Sequence, residues 1–189
     1  MKRVVSTALL FLALPLSALA APGLPQGWFD GGTRPQDYEI GTAPIDGVQG
    51  RQAAYIKAKS SAQAIGFSAL TQCFRAEDYL GKRVRFGARV RTVSARAVSL
   101  FMRVDAGRNM AAFYNTASDP TGPISGTAAW QRRDIVLDVP AGSNQICYGV
   151  ILTAGTGEVW IDGVAFEPVE KNMPVSQTPK APVNLGFDQ

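Results

Sequence analysis

The sequence predicts an all-β sandwich, and three observations carry that prediction. Apolar and polar residues alternate over short runs, the period of a strand buried on one face. Segments rich in Gly, Pro, Ser and Asn separate these runs at short intervals. Beyond the first twenty residues, no stretch of 12 carries the i, i+3, i+4, i+7 apolar stripe of an amphipathic helix.

The expected strands are Gln52–Lys59, Phe67–Phe74, Arg83–Val93, Val98–Val104, Met110–Asn115, Gln131–Val139, Gln145–Thr153 and Glu158–Val169. Turn segments part them at Ser118 to Gly126, at Ala141-Gly142-Ser143-Asn144 and at Gly155-Thr156-Gly157. Arg75-Ala76-Glu77-Asp78-Tyr79 is expected to form one helical turn before Gly81.

Residues 1–20 read as a secretory signal peptide. Lys2 and Arg3 precede an apolar run from Val4 to Leu16, and Ala18-Leu19-Ala20 places small residues where a signal peptidase reads. The run is too short for a spanning helix, which needs about 20 apolar residues, and no stop-transfer charge follows it. No cysteine lies near the cleavage point to take a lipid anchor. The mature chain is therefore expected to start near Ala21, to carry no membrane anchor, and to be periplasmic or secreted. Residues 21–170 are expected to form the β-sandwich domain. Residues 171–182, with Pro174, Pro179 and Pro182, read as an extended linker. Residues 183–189 turn apolar again at Leu185 and Phe187 and are expected to pack on the sandwich as a terminal strand.

Losing Lys2 and Arg3 takes the formal charge from +4 to +2. That balance, in an exported chain, does not suggest a nucleic-acid binder. Two cysteines, Cys73 and Cys147, fall in the exported part. An oxidising compartment invites a disulfide between them; two buried free thiols in strands are the other reading. With no histidine and two cysteines, the usual structural zinc sets cannot form. Nor can a Ser-His-Asp or Cys-His arrangement. The carboxylates Asp105, Asp119, Asp134, Asp138, Glu158 and Asp162 form no tight pair in an apolar setting, so a carboxylate hydrolase is not expected. The chain reads as a binding protein and not an enzyme. Gly155-Thr156-Gly157 lacks the Lys-Ser/Thr pair of a phosphate loop and reads as a hairpin turn.

One strand stands out. In Lys82 to Arg91, Val84, Phe86, Ala88 and Val90 share a face, and Arg83, Arg85, Arg89 and Arg91 share the other, with a gap at Gly87. Two readings fit. The arginines pair with carboxylates of a neighbouring strand, such as Asp134 and Asp138. Alternatively they form a strip for an anionic partner, since a guanidinium binds carboxylate or phosphate in two places. A separate small cleft for a sugar is expected from Arg103, Asp105, Tyr114, Asn115 and Trp130, which combine aromatic faces with planar polar groups. There too, a packed Trp130 and a surface Arg103–Asp105 pair are the alternative.

The segment Asn184-Leu185-Gly186-Phe187-Asp188 resembles the "NLGFE" element that opens galactose-binding-like, jelly-roll carbohydrate-binding modules. Val159-Trp160-Ile161-Asp162-Gly163-Val164-Ala165-Phe166 resembles their last strand, with Gly163 in place of a second acid. A narrower resemblance is to a bacterial domain of unassigned role, found alone or appended to regulators and erythromycin-esterase-like hydrolases. It rests on Trp28, Tyr38, Gly66-Phe67, Gln72, Tyr79, Gly81 to Arg85, Met102 to Asp105, Gly126-Thr127, Trp130, Val136 to Pro140 and Val159-Trp160. These resemblances imply a two-sheet antiparallel jelly roll, with Leu185 and Phe187 filling the first-strand position as in a circular permutation. They also imply a structural calcium near Asp162, Asp188 and Asp30. The expectation is an exported, non-catalytic domain for carbohydrate or another cell-envelope component, such as an acidic envelope polymer; the alternative is a protein-interaction or structural domain with no small ligand.

Overall fold

A computed structural model of the chain describes residues 23–45, 50–177 and 185. Among them are nine strands: β1 (Phe29–Gly32), β2 (Tyr38–Pro44), β3 (Gln52–Ala58), β4 (Phe67–Arg75), β5 (Arg83–Ala106), β6 (Asn109–Asn115), β7 (Ile124–Asp138), β8 (Gln145–Thr153) and β9 (Glu158–Val169). Every strand pairing is antiparallel. Among the described residues no helix is long and apolar enough to cross a membrane.

Strand β5 organises the sandwich. Its first half, Arg83 to Val93, lies between β7 and β9; its second half, Ala97 to Ala106, pairs with β8 and β6. One sheet therefore runs β2-β3-β9-β5-β7 and the other β1-β4-β8-β5-β6. The sequence reads this segment as two strands. It is one strand of 24 residues, bent where Ser94 takes a positive φ of 49° and the register with β7 shifts. The bend lets one strand serve both layers.

The layers meet through aromatic rings. Phe86 from the first half of β5 stacks on Tyr148 of β8 at 4.5 Å, and Tyr148 stacks on Phe166 of β9 at 5.4 Å. Val84, Phe86, Ala88 and Val90 are buried, as their alternation predicts, and Leu100, Met102 and Val104 continue the core past the bend. The result is the expected jelly-roll sandwich.

Several boundaries differ from expectation. β1 and β2 were not expected as strands, because Gly31-Gly32 and Gly41 to Pro44 dilute their alternation. β7 begins at Ile124 and not Gln131, carried through a positive-φ Gly126. The helical turn is a short 3-10 turn over Glu77–Tyr79. The segment 171–177, part of the expected extended linker 171–182, docks on the sandwich. Arg83 Nη1 donates to the carbonyls of Lys171 and Met173, each at 2.6 Å. Ser176 N–H donates to the Val136 carbonyl at 2.8 Å, and Val175 packs against the core. The outer edge of β7, which no strand covers, supplies hydrogen bonds at Val136, and the Arg83 side chain of β5 supplies the others. Leu185, expected in a packed strand, is in a turn and 78% exposed. The edge position beside β4 is filled by β1. The remainder of 178–189 and the expected signal peptide lie outside the described residues.

Candidate functional site

The arginine strip is mostly neutralised from within. Arg83 faces Asp138 directly across β5 and β7 and binds it through two hydrogen bonds of 2.8 and 2.9 Å. That contact lowers the Asp138 pKa; the guanidinium hydrogen bond outweighs the cost of partial burial. Arg85 is opposite Glu167 of β9 and pairs with it. Arg89 lies 3.5 Å from Asp162, whose carboxylate is also held by Arg51 at 3.1 Å (Nε to Oδ1) and 2.7 Å (Nη2 to Oδ2). The second of these is close but poorly aligned, so Asp162 Oδ2 is left without a well-directed hydrogen bond. Asp134 does not reach the ladder. It sits opposite Gly87 and binds Arg132 of its own strand at 2.8 to 3.1 Å. The gap at Gly87 has a cause: a Cβ there would meet that ion pair.

Arg91 differs from its neighbours. Among the described residues it forms no ion pair. It sits opposite Trp160 on β9, and Trp160 sits opposite Tyr55 on β3. The Trp160 and Tyr55 rings lie 5.0 Å apart at 41°. Trp160 Nε1 donates to Glu158 at 3.0 Å, and Tyr55 O–H to Glu39 at 2.6 Å. Burial and the Glu39 carboxylate push the Tyr55 pKa up to about 12, so the phenol stays neutral. On the other side of β5, Trp130 of β7 shares this outer face, with the Arg89 guanidinium 5.3 Å from its ring centroid. Trp130, Arg91 and Trp160, each partly exposed, thus form a stripe across three adjacent strands, about 10 Å at the usual strand spacing, and Tyr55, 6% exposed, backs Trp160 from β3. Around the stripe Arg51, Arg89, Arg91 and Lys57 stand against Asp162, Glu158 and Glu39, a net excess of one positive charge.

The expected sugar cleft is not assembled. Trp130 lies on the sheet with the first half of β5, whereas Arg103, Asp105, Tyr114 and Asn115 belong to the other sheet. Arg103 binds Asp105 at 2.6 Å as a local pair. Tyr114 points into the core, its hydroxyl donating to Asp119 at 2.8 Å and its pKa pushed up to about 12 by burial. Asn115 caps a 3-10 turn by accepting from Ala117 N–H at 2.8 Å. The expected calcium set does not fit either. Asp162 is neutralised by two guanidiniums, Asp30 is exposed on β1 in the opposite sheet, and Asp188 lies outside the described residues. Among the described residues no cluster of three acidic, histidine or cysteine groups gathers. Cys73 and Cys147 face each other across β4 and β8 and are joined as a disulfide, S–S 2.04 Å.

A second concavity opens between the sheets. It measures about 380 Å³ and is lined by Trp28, Thr42, Gln52, Ala54, Gln72 and Tyr148 among others. Apart from Asp162, expected as a calcium ligand, sequence reasoning assigned neither Tyr55 and Trp160 nor the cleft residues to a site. Trp160 alternates with Asp162 and Tyr55 with Lys57, which marks them as outward-facing aromatics, but only strand order makes them neighbours.

No known protein-family profile matches the chain. It is 36% identical over 172 residues to the "uncharacterized HTH-type transcriptional regulator YbfP" of Bacillus subtilis (strain 168), covering 87% of this chain. The chain spans 57% of the length of that relative. Among solved structures it resembles the CBM22-1 xylan-binding domain of Paenibacillus barcinonensis Xyn10C, with a TM-score of 0.52 and 13% identity, over 78% of this chain and 89% of that one. It also resembles the enzymatically active domain of bacteriophage CBA120 tailspike protein 4, with a TM-score of 0.57 and 13% identity, over 76% of this chain and 20% of that one. At these identities the likeness is one of fold.

Proposed function

We propose that this is a non-catalytic carbohydrate-binding domain whose site is the outer stripe of Trp130, Arg91 and Trp160, backed by the buried Tyr55, and that it acts outside the cytoplasm. The observation that carries the reading is the position of Arg91: a guanidinium without an ion-pair partner among the described residues, directly opposite Trp160 on the face where Arg89 lies over Trp130. Aromatic faces take the apolar faces of sugar rings, and a guanidinium takes a carboxylate in two places. A glycan carrying carboxylates, such as a uronate polymer, fits both. The xylan-binding domain among the structural neighbours supports the carbohydrate class. The signal-peptide pattern at residues 1–20 and the Cys73–Cys147 bond support export.

The test is binding of the intact protein to polygalacturonate and to neutral xylan at physiological salt, for the native chain and Trp160→Ala. The expected result is binding to the acidic polymer that Trp160→Ala abolishes while the circular dichroism spectrum is kept. Absence of binding to either polymer would remove this reading. A second reading, a protein-interaction domain, draws support from the relative's being named a regulator with further chain beyond this domain. Co-purification of a protein partner lost in Arg91→Glu, with no glycan bound, would favour it.

A further inference from the structure

The cleft between the sheets has a cause that can be read along two strands. Inner-facing residues of neighbouring strands form rows. One row, Ile40–Ile56–Val159, is filled by large branched side chains. The next row along the same strands reads Thr42–Ala54–Ile161. Thr42 and Ala54 thus stand where the neighbouring row has two isoleucines, facing an opposite wall of Trp28 and Tyr148. A core built only for stability would fill that space, because interiors pack closely. Here a cavity of about 380 Å³ remains, within the range of small-ligand pockets.

The polar groups of the cleft are neutral and available. Gln72 projects inward from the middle of β4, and its side-chain oxygen accepts the Tyr148 hydroxyl hydrogen. Burial raises the Tyr148 pKa, so that hydroxyl stays protonated. The Gln72 amide nitrogen donates to no group among the described residues, and neither do the side chains of Thr42 and Gln52 find partners there. Asp162 borders the cleft, but its charge is held by Arg51 and Arg89. The Trp28 ring meets Tyr148 edge-on at 5.6 Å and forms one side of the space. The cleft therefore combines two aromatic surfaces with neutral amide and hydroxyl groups and no uncompensated charge.

We propose that this cleft is a second binding site, separate from the outer stripe, which takes a single uncharged sugar ring such as a free monosaccharide or the terminal ring of a glycan. The choice of ligand class rests on the carbohydrate reading above; the site itself does not depend on the outer stripe. An uncharged ring matches the neutral lining, and its hydroxyls supply the partners that Gln72, Thr42 and Gln52 lack. An anionic ring would be disfavoured here, since no free cation faces the cavity among the described residues.

The chain has three tryptophans, so Trp130→Ala/Trp160→Ala removes both aromatic platforms of the outer stripe and leaves Trp28 as the one tryptophan reporter. That variant is titrated with glucose, galactose, xylose and N-acetylglucosamine. The expected result is a saturable change of Trp28 emission with at least one of them, weakened at least tenfold by Ala54→Leu, which fills the cleft, and by Gln72→Leu, which removes the donor. No saturable change with any of the four, or a change that Ala54→Leu leaves intact, would overturn the proposal. Calorimetry on the otherwise native chain guards against a misfolded double variant: Ala54→Leu is expected to remove the monosaccharide heat and keep binding to polygalacturonate. Loss of polymer binding in Trp160→Ala tests the outer stripe alone, so the two sites can fail separately.

Discussion

Gly87 on β5 and Asp134 on β7 sit directly opposite each other, and the Arg132–Asp134 ion pair occupies the space that a side chain at residue 87 would take. A second glycine, Gly149 on β8, is hemmed in differently: a Cβ there would meet the carbonyl of Leu70 in the neighbouring strand, and the Phe101 ring lies over it. The two glycines therefore separate two kinds of crowding. At Gly87 the obstacle is the end of two exposed side chains, which can swing away. Such a surface pair contributes about 0–1 kcal/mol, and alanine recovers about 0.5–1 kcal/mol of chain entropy relative to glycine. Gly87→Ala is expected to change the unfolding free energy by less than about 1 kcal/mol. At Gly149 the obstacle is backbone, and Gly149→Ala is expected to cost about 1–3 kcal/mol or more. Urea denaturation of both variants checks the contrast; equal losses would contradict it.

The Arg83–Asp138 pair predicts an acid-sensitive term in stability. The native pKa of Asp138 is lowered by Arg83, so its contribution is present above the unfolded value of about 3.9 and is lost as pH falls through the lower native value. Arg83 also holds the carbonyls of Lys171 and Met173, so protonating Asp138 loosens the docking of segment 171–177. Asp138→Asn is expected to melt below the native chain at pH 7, and the difference is expected to shrink as pH falls below about 3.9. Melting curves across that range decide it; a constant offset at every pH would show that charge is not the cause.

The disulfide closes a long loop. Cys73 and Cys147 are 74 residues apart in sequence. In the chain-entropy account such a cross-link restricts the unfolded state by about 4 kcal/mol. Reduction, or a Cys73→Ala/Cys147→Ala variant, is expected to lower the guanidinium midpoint clearly. The bond sits on paired positions of β4 and β8, so the folded state should keep its β-sheet spectrum. An unchanged midpoint under reductant would mean that the bond contributes little to stability.

The fold was legible because the strand period survives almost everywhere: the Val84, Phe86, Ala88, Val90 face is core, as alternation says. The Arg83–Asp138 pair was also within reach, being one of the two readings of the arginine ladder. The site was not, and the reason is topological. Sequence shows which way a side chain points from its own strand but not which strand lies beside it. Trp130 and Tyr114 look equally available to Arg103 in the sequence. The bend at Ser94 sends them to different sheets, because β7 follows mainly the first half of β5 and β6 the second. The same blindness hid Tyr55, 36 residues from its ladder neighbour Arg91 and beside it only through Trp160.

The arginines make the sharpest test of the outer stripe, because they share a face and differ in their partners. Arg85 and Arg91 project from the same face of the same strand. Arg85 is matched with Glu167, while Arg91 has no ion-pair partner among the described residues and lies beside Trp160. If a glycan were attracted by a generic positive strip, removing either charge would weaken binding alike, and both effects would fade with salt. If the stripe is a shaped site, only Arg91 contacts the ligand. Arg91→Gln is then expected to weaken binding to polygalacturonate at least tenfold at physiological salt, a loss of about 1.4 kcal/mol. Arg85→Gln should stay within about twofold, since Arg85 is already occupied and releasing Glu167 adds only a screened negative charge. Affinity measurements at two salt concentrations separate the cases. Equal losses that vanish at high salt would reduce the stripe to a charge effect; a loss confined to Arg91 that persists with salt would make Trp160 and Arg91 the core of the site.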